Sequence, residues 1–301
     1  MDVIILKKIS MLMVLALLLG ILVACGHSEV EPTIVPTEPV PVTETPTEAP
    51  TEIPTEEPTE APTEPPEAVA RELIREGKYE EALAQLENVG SEEAELLRLR
   101  AGLGDVAEGD EVIFGCYEQD NDLENGAEEV SWIVLKVEDN HAWLLSRDCL
   151  DTLPYYDVFD GRSDWEHCTL RTWLNEDFLN AAFDATEQKL LLETELVNKD
   201  NPAYHTPGGE NTVDRVFLLS LDDAYTYEGT SLMIAKVSPY AENKGCYANA
   251  GKAGWWWLRS PGKYTRDACY VDAVGKPSHY GYVLHRDGWA VRPAIWIDLN
   301  V

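Results

Sequence analysis

Trp255-Trp256-Trp257-Leu258-Arg259-Ser260-Pro261-Gly262 is the stretch on which the fold turns. Three adjacent indoles and a leucine make a run of strand length, closed by Pro-Gly. In a strand, Trp255 and Trp257 face one side and Trp256 the other. Each indole can bury roughly 150–250 Å², so the run anchors a core on at least one face. The alternative is an exposed Trp256 serving as a stacking platform for a sugar ring. Downstream, residues 268–274, 281–286 and 290–297 are further aromatic, glycine-rich segments of strand length. Upstream, 112–115 reads as a strand. Residues 130–137 and 143–146 read as a hairpin joined by Asp139-Asn140. Leu170, Trp173, Leu174, Phe178, Ala181 and Ala182 form one stripe, which predicts a helix over 170–183. A second helix is expected from near Thr186, carrying Leu190, Leu191 and Leu192, then a strand over 216–219, and a short helix opened by Ser220 with Asp223 three residues on. Helices first and a strand-rich end predict an α+β domain over 105–301, with mixed or antiparallel sheets.

The N-terminal part has a different character. Lys7 and Lys8 precede an apolar run from Met11 to Val23, and Leu22-Val23-Ala24-Cys25-Gly26 follows. The run falls short of the roughly 20 apolar residues of a membrane span. A basic start, a short apolar core and small residues before a cysteine make a secretory signal over 1–24. The end of that segment resembles the lipobox of bacterial lipoproteins. The resemblance implies cleavage before Cys25 and acylation of its thiol, so that the chain is held at the membrane on its extracytoplasmic face. Residues 25–67 are then a Pro/Thr/Glu segment, with beats such as Thr51-Glu52-Ile53-Pro54 and Thr55-Glu56-Glu57-Pro58. Such a composition cannot offset the entropy of ordering and favours an extended stalk. Residues 68–104 turn helical, with Leu73, Ile74, Leu83 and Leu86 at helical spacings and Ser91 as an N-cap. Gly77-Lys78-Tyr79-Glu80-Glu81-Ala82-Leu83 resembles the turn of a tetratricopeptide repeat. One repeat and a half cannot bury its own face, so this piece is expected to pack on the next domain or act as a spacer.

The chain carries 55 Asp and Glu against 23 Lys and Arg, a formal net charge of −32. A surface this negative repels phosphate backbones and excludes nucleic acid as a partner. Beyond Cys25 there are five cysteines, Cys116, Cys149, Cys168, Cys246 and Cys269, at spacings that match no zinc pattern. Small buried thiols are one reading, and a Cys246–Cys269 bridge is another. Asp120, Asp122 and Glu124 alternate oxygen side chains and run to Gly126. Calcium takes such ligands, although the glutamate register of a calcium loop is not clean, and an acidic turn between strands is the competing reading. Cys168 beside His167 looks like a nucleophile and its base, but neighbours on one helix point apart. Arg259 and Arg292 sit at strand ends among apolar residues. There they either pair with carboxylates such as Asp214 or Asp298, or bind ligand. With Trp256, Tyr264, Tyr270 and Tyr280 they are the candidate ligand-binding residues.

The words Trp255 to Gly262 and Val291-Arg292-Pro293-Ala294, with Leu170-Arg171-Thr172-Trp173-Leu174-Asn175 and Phe217-Leu218-Leu219-Ser220, resemble a bacterial domain family of unknown function. That family recurs in exported and surface proteins of anaerobic gut Firmicutes. A more distant likeness is to the C-type-lectin-like fold, including its formylglycine-generating branch, in which exposed loops on an aromatic core bind sugars, proteins or peptides. That branch uses a cysteine pair, but the sequences around Cys246 and Cys269 do not match it. No complete catalytic set is legible. The expected role is a lipid-anchored surface module that binds an envelope or extracellular glycan or protein. The alternatives are an envelope enzyme and a structural spacer.

Overall fold

The computed structural model describes residues 64–157, 162 and 164–300. The signal segment, Cys25 and most of the Pro/Thr/Glu stretch lie outside the described residues. The first helix, α1 (Pro66–Arg75), opens two residues earlier than the periodicity suggests. Proline suits the first helical position, where its missing N–H is not needed, and Glu67 suits the positive end of the helix dipole. α2 (Tyr79–Leu86) and α3 (Glu92–Leu103) follow. Ser91 caps α3, accepting from the Ala94 N–H at 3.1 Å. Ala70, Ile74, Ala82, Leu86, Ala94, Leu97 and Ala101 form a small core between these helices. The other side of α3, with Leu96, Leu99 and Leu103, packs on the main core. Buried Arg100 ties the two together, donating from Nε to the Leu299 carbonyl at 2.8 Å.

The rest is α+β. β1 (Glu111–Tyr117), β2 (Glu128–Glu138) and β3 (His141–Ser146) run antiparallel in sequence order. Asp139 and Asn140 turn the β2–β3 hairpin with φ of 51° and 57°, the left-handed pair a two-residue turn requires. β4 (Asp151–Thr152) precedes the long helical segment α4. That segment starts as Thr169–Trp173, widens into a π-helical turn at Leu174–Phe178 and ends as Leu179–Ala182. α5 (Glu187–Leu190) is a single turn, so Leu191 and Leu192 leave the helix where it was expected to continue. Leu191 instead bridges to Ile297. β5 (Thr194–Leu196) pairs with β6 (Thr212–Asp214), and β7 (Val216–Phe217) leads into α6 (Leu221–Thr226). Ser220 and Asp223 cap α6 reciprocally, as their spacing predicts. α7 (Pro239–Asn243) and the strands β8 (Trp256–Pro261), β9 (Asp267–Val271), β10 (Pro277–Val283), β11 (Ala290–Val291) and β12 (Ala294–Asp298) complete the order.

Two five-stranded sheets result. One is ordered β1-β2-β3-β12-β7, the other β10-β9-β8-β11-β4. The first is antiparallel throughout, and the second is mixed because β11 runs parallel to β8. The expected single strand over 290–297 is therefore two strands in different sheets. Arg292-Pro293 is the joint between them. Pro293 cannot donate to a ladder, which ends β11. Arg292 is fully buried and donates to the Ser146, Leu232 and Arg147 carbonyls at 2.9, 2.8 and 3.2 Å. Its guanidinium lies 5.0 Å from the Trp256 ring centroid. Trp256 and Trp257 are both fully buried, and Trp257 stacks on Trp289 at 4.8 Å. Trp255 meets the same Trp289 ring at 5.0 Å, so Trp255 and Trp257 do share a side.

Candidate functional site

Strand alternation places the most prominent feature. On β3, Ala142 and Leu144 are buried on one face, which turns Trp143 to the other; on β12, Ile295 and Ile297 do the same to Trp296. The two strands pair Trp143 directly against Trp296, and their rings stack at 5.8 Å with an interplanar angle of 9°. Phe217 on β7 pairs with Ala294 and so lies on the same face as Trp296. Above this face runs a groove of about 380 Å³. β5 and the following Val197, Lys199, Asp200 and Pro202 form one wall, and the start of α6, from Ser220 to Asp223, forms another. Arg259 and Ser260 reach in from β8 of the other sheet.

Arg259 is clamped at the groove's edge. Its backbone N–H donates to the Leu219 carbonyl at 2.9 Å, and Nη1 donates to the Leu218 carbonyl at 2.8 Å and to Asp223 at 3.0 Å. Asp223 in turn accepts from the Ser220 N–H and hydroxyl, both at 2.7 Å. Lys199 pairs with Asp222 at 2.9 Å, and that contact holds its ammonium above the ordinary value. Asp200 accepts from the Gly208 N–H at 3.1 Å. Glu195 adds a fourth carboxylate to the lining. The expected partners of Arg259, Asp214 and Asp298, lie elsewhere. Asp214 is buried under Trp165, Arg171 and Thr212.

Of the residues singled out from sequence, Tyr264 and Tyr280 meet edge-to-face at 6.4 Å on an exposed patch with Tyr204 and His279. Lys263 lies 4.9–5.3 Å from the rings of Tyr204, Tyr264 and Tyr280. This ammonium lowers the pKa of the Tyr264 hydroxyl. Gly262 and Gly281 bring the supporting strands together there. A Cβ on Gly281, whose φ is 80°, would sit 2.7 Å from the Gly262 Cα. Buried Asn201 bridges the same strands, donating to the Pro261 and His279 carbonyls, each at 2.8 Å. Tyr270 is half-buried in a separate ring cluster, 4.5 Å from Trp289.

Several expectations change. Trp256 is not an exposed platform, because Arg292 and the second sheet's interior cover it. Arg292 faces backbone carbonyls and so is a structural joint, not a ligand-binding group. Asp120, Asp122 and Glu124 do not converge as a metal set. Asp120 and Asp122 accept from the backbone N–H groups two residues on, at 2.7 and 3.2 Å, which makes the segment a run of turns. The carboxylates that approach one another are Glu118, Asp120 and Glu128, and backbone N–H donors already occupy them. Cys116, Cys149, Cys168, Cys246 and Cys269 are all free, which removes the Cys246–Cys269 bridge. Cys168 is buried, caps α4 by accepting from the Arg171 N–H, and is pushed up to about 12 by burial. It is no nucleophile for His167, which turns to Asp164 at 2.6 Å.

Sequence reasoning missed Trp143 and Trp296 as site residues. The signal was present: each tryptophan is flanked by aliphatic residues that alternation sends to the opposite face. A family profile described as a domain of unknown function, DUF6273, matches residues 139–299. No curated protein and no solved structure matches the chain. The matched segment starts inside the β2–β3 turn, yet β1 and β2 complete its sheet and Trp132 and Phe114 its core. With more than half its length covered, the chain belongs to the DUF6273 family, whose function is unknown.

Proposed function

We propose that this protein is a lipid-anchored surface module that binds an envelope or extracellular glycan in the Trp143–Trp296 groove. The observation that carries the reading is the stacked indole pair on a sheet face, enclosed by hydroxyls, carboxylates and a clamped arginine. Indole faces pack against the apolar face of a sugar ring, and fixed polar groups around them select its hydroxyls. The lipobox-like Cys25, the Pro/Thr/Glu stalk and the lectin-like resemblance of the folded part belong to the same reading. They would place the groove outside the membrane, where envelope polymers are met. Tyr264, Tyr280 and Tyr204 offer further stacking surface along a polymer.

The test is a glycan array followed by calorimetry on the chain from Gly26, with Trp296→Ala as the comparison. The parent is expected to bind at least one oligosaccharide class, and Trp296→Ala to weaken it at least tenfold, about 1.4 kcal/mol. Binding to none, or equal binding by the variant, overturns the reading. For the anchor, an incorporated acyl label is expected to vanish in Cys25→Ser, and a label that persists there would refute acylation at this thiol. A second reading, an envelope hydrolase, is favoured by one observation: Glu195, Asp200, Asp222 and Asp223 share the groove. Paired carboxylates hydrolyse glycosidic bonds. Here three of the four are already held, Asp222 by Lys199, Asp223 by Arg259 and Ser220, and Asp200 by a backbone N–H. Release of reducing ends from a bound oligosaccharide would favour this second reading.

A further inference from the structure

The groove does not end at its walls. Three of the stretches that line it run, within three residues, into the exposed tyrosine patch. Pro202 leads to Tyr204, Asp222 on α6 to Tyr225, and Ser260 on β8 to Lys263. Cross-links hold the two together. Buried Asn201, between the lining residues Asp200 and Pro202, donates to the Pro261 and His279 carbonyls at 2.8 Å each. The Thr206 hydroxyl donates to the Lys263 carbonyl at 2.8 Å, and the Tyr225 hydroxyl meets Nδ1 of His279 at 3.0 Å. Three residues reach at most about 11 Å, so one oligosaccharide seated in the groove extends over the patch.

The groups of the patch face solvent. Tyr264 is 44% exposed and Tyr280 49%, and Arg266 is exposed. Two cations share the Tyr264 ring: Lys263 Nζ lies 5.0 Å from its centroid and Arg266 Cζ 5.3 Å. A ring face attracts a cation but carries no net charge, so two like charges are held together here without a counterion. Among the described residues, neither forms an ion pair with a carboxylate. Asp267, next to Arg266, is buried, and burial holds its carboxyl above the ordinary value. Asp222 is taken by Lys199. The chain as a whole carries −32. At physiological ionic strength the screening length is about 8 Å, so an anion at the patch responds to its immediate neighbours and not to that total. The groove is the reverse case. Glu195, Asp200, Asp222 and Asp223 stand there against Lys199 and Arg259, and both cations are already paired. Neutral sugar units suit the groove, and an anionic one suits the patch.

From this we propose that the tyrosine patch is a second subsite, for an acidic sugar of the chain whose neutral units occupy the groove. The sugar ring packs beside Tyr264 and Tyr280, and its carboxylate or sulfate meets Lys263 and Arg266. This rests on the glycan reading and narrows it. The test is calorimetry at physiological ionic strength on the chain from Gly26, with two matched pairs: tetragalacturonate and its methyl ester, and sulfated cellotetraose and cellotetraose. In at least one pair the acidic member is expected to bind about fivefold tighter, since exposed ion pairs contribute little each. That advantage should shrink as salt is added. Lys263→Met with Arg266→Gln should remove it and leave the neutral member's affinity unchanged. Lys263→Arg should keep it, and Trp296→Ala should weaken both members alike. The pair that shows the advantage tells a carboxylate from a sulfate. Equal binding within both pairs, or an acidic preference that survives the double variant, overturns the second subsite and leaves the glycan reading standing. Binding of no tetramer by the parent overturns the subsite, and only the wider array then bears on the glycan reading. The comparison on the parent chain needs no variant, so a misfolded double variant does not remove the test.

Discussion

Replacing Arg292 with methionine tests whether the Arg-Pro joint holds the two sheets together. The substitution keeps most of the side-chain volume and removes every donor. Three carbonyls lose their partners, those of Ser146, Leu232 and Arg147. Hydrogen bonds to a charged group contribute about 1.5–3 kcal/mol each, which for three gives about 4–9 kcal/mol. The lower end is the better figure. Leu232 and Arg147 border an open hollow with Arg292, so water can replace part of what is lost. The apolar methionine also no longer has to desolvate a charge, and burial is what pulls the Arg292 pKa down to about 10. An expected loss of about 4 kcal/mol lowers Tm by about 8–16 °C, at 2–4 °C per kcal/mol for a domain of this size. Thermal and denaturant unfolding followed by tryptophan fluorescence reads this directly, since Trp256 lies against the guanidinium. Arg292→Lys should fall between, because an ammonium cannot span three acceptors in one fork. A loss below about 1 kcal/mol for Arg292→Met would show that the joint is held by β11 and β12 pairing alone, and the reasoning would fail.

Asp214→Ala removes a carboxylate that accepts from Trp165, Arg171 and Thr212, and is expected to cost about 3–5 kcal/mol in a denaturant titration, with under 1 kcal/mol counting against it. Burial pushes Cys168, Cys246 and Cys269 from 9.0 up to about 12, with Cys149, Tyr117 and Tyr155 also raised. Groups raised on folding contribute stability that is whole below the unfolded value and lost as pH climbs through the folded one. Unfolding free energy should therefore hold up to about pH 9 and fall from there toward 12, less steeply in Cys269→Ala, and a curve that rises across that window would contradict it. In native Cys25→Ser chain, a thiol reagent at pH 8 should reach Cys116 alone among the described cysteines, the other four reacting only after denaturation. Asp139→Val forces a β-branched residue to a φ of 51° and should cost about 1–2 kcal/mol, where an unchanged midpoint would exclude the left-handed turn.

Local chemistry was readable from sequence wherever a short-range rule decided the outcome. The Asp139-Asn140 turn, the Ser91 cap and the Ser220–Asp223 capping box each follow from residues within a few positions of one another. What escaped depended on partners far along the chain. Residues 290–297 read as one strand because their apolar run is continuous, and only the Pro293 position hinted at a break. That the two halves join different sheets is decided by β4 and β8 on one side and β3 and β7 on the other. The same applies to the Trp255–Trp257 run. Alternation separates the faces correctly, but which face meets water depends on what packs over it, and Arg292 comes from a joint 36 residues away in sequence. Nothing local singles out Trp143 and Trp296, since each sits in an apolar strand and their stacking requires the β3–β12 register.

The groove inherits its shape from this long-range geometry. Its floor, Trp143, Trp296 and Phe217, belongs to one sheet, while Arg259 and Ser260 arrive from the other. A backbone bond from Arg259 to Leu219, and side-chain bonds to Leu218 and Asp223, tie the second sheet to the end of β7. The Arg292-Pro293 joint ends β11 in one sheet and starts β12 in the other, four residues before Trp296. The two stretches that define the fold, 255–262 and 291–294, therefore do two things through neighbouring residues. Their buried halves, Trp256, Trp257 and Arg292, are fully enclosed, with the Arg292 guanidinium against the Trp256 ring. Arg259 from the first, and Trp296 just past the second, then stand at fixed positions across the groove. On the glycan reading, side chains fixed in this way would have little freedom left to lose on binding.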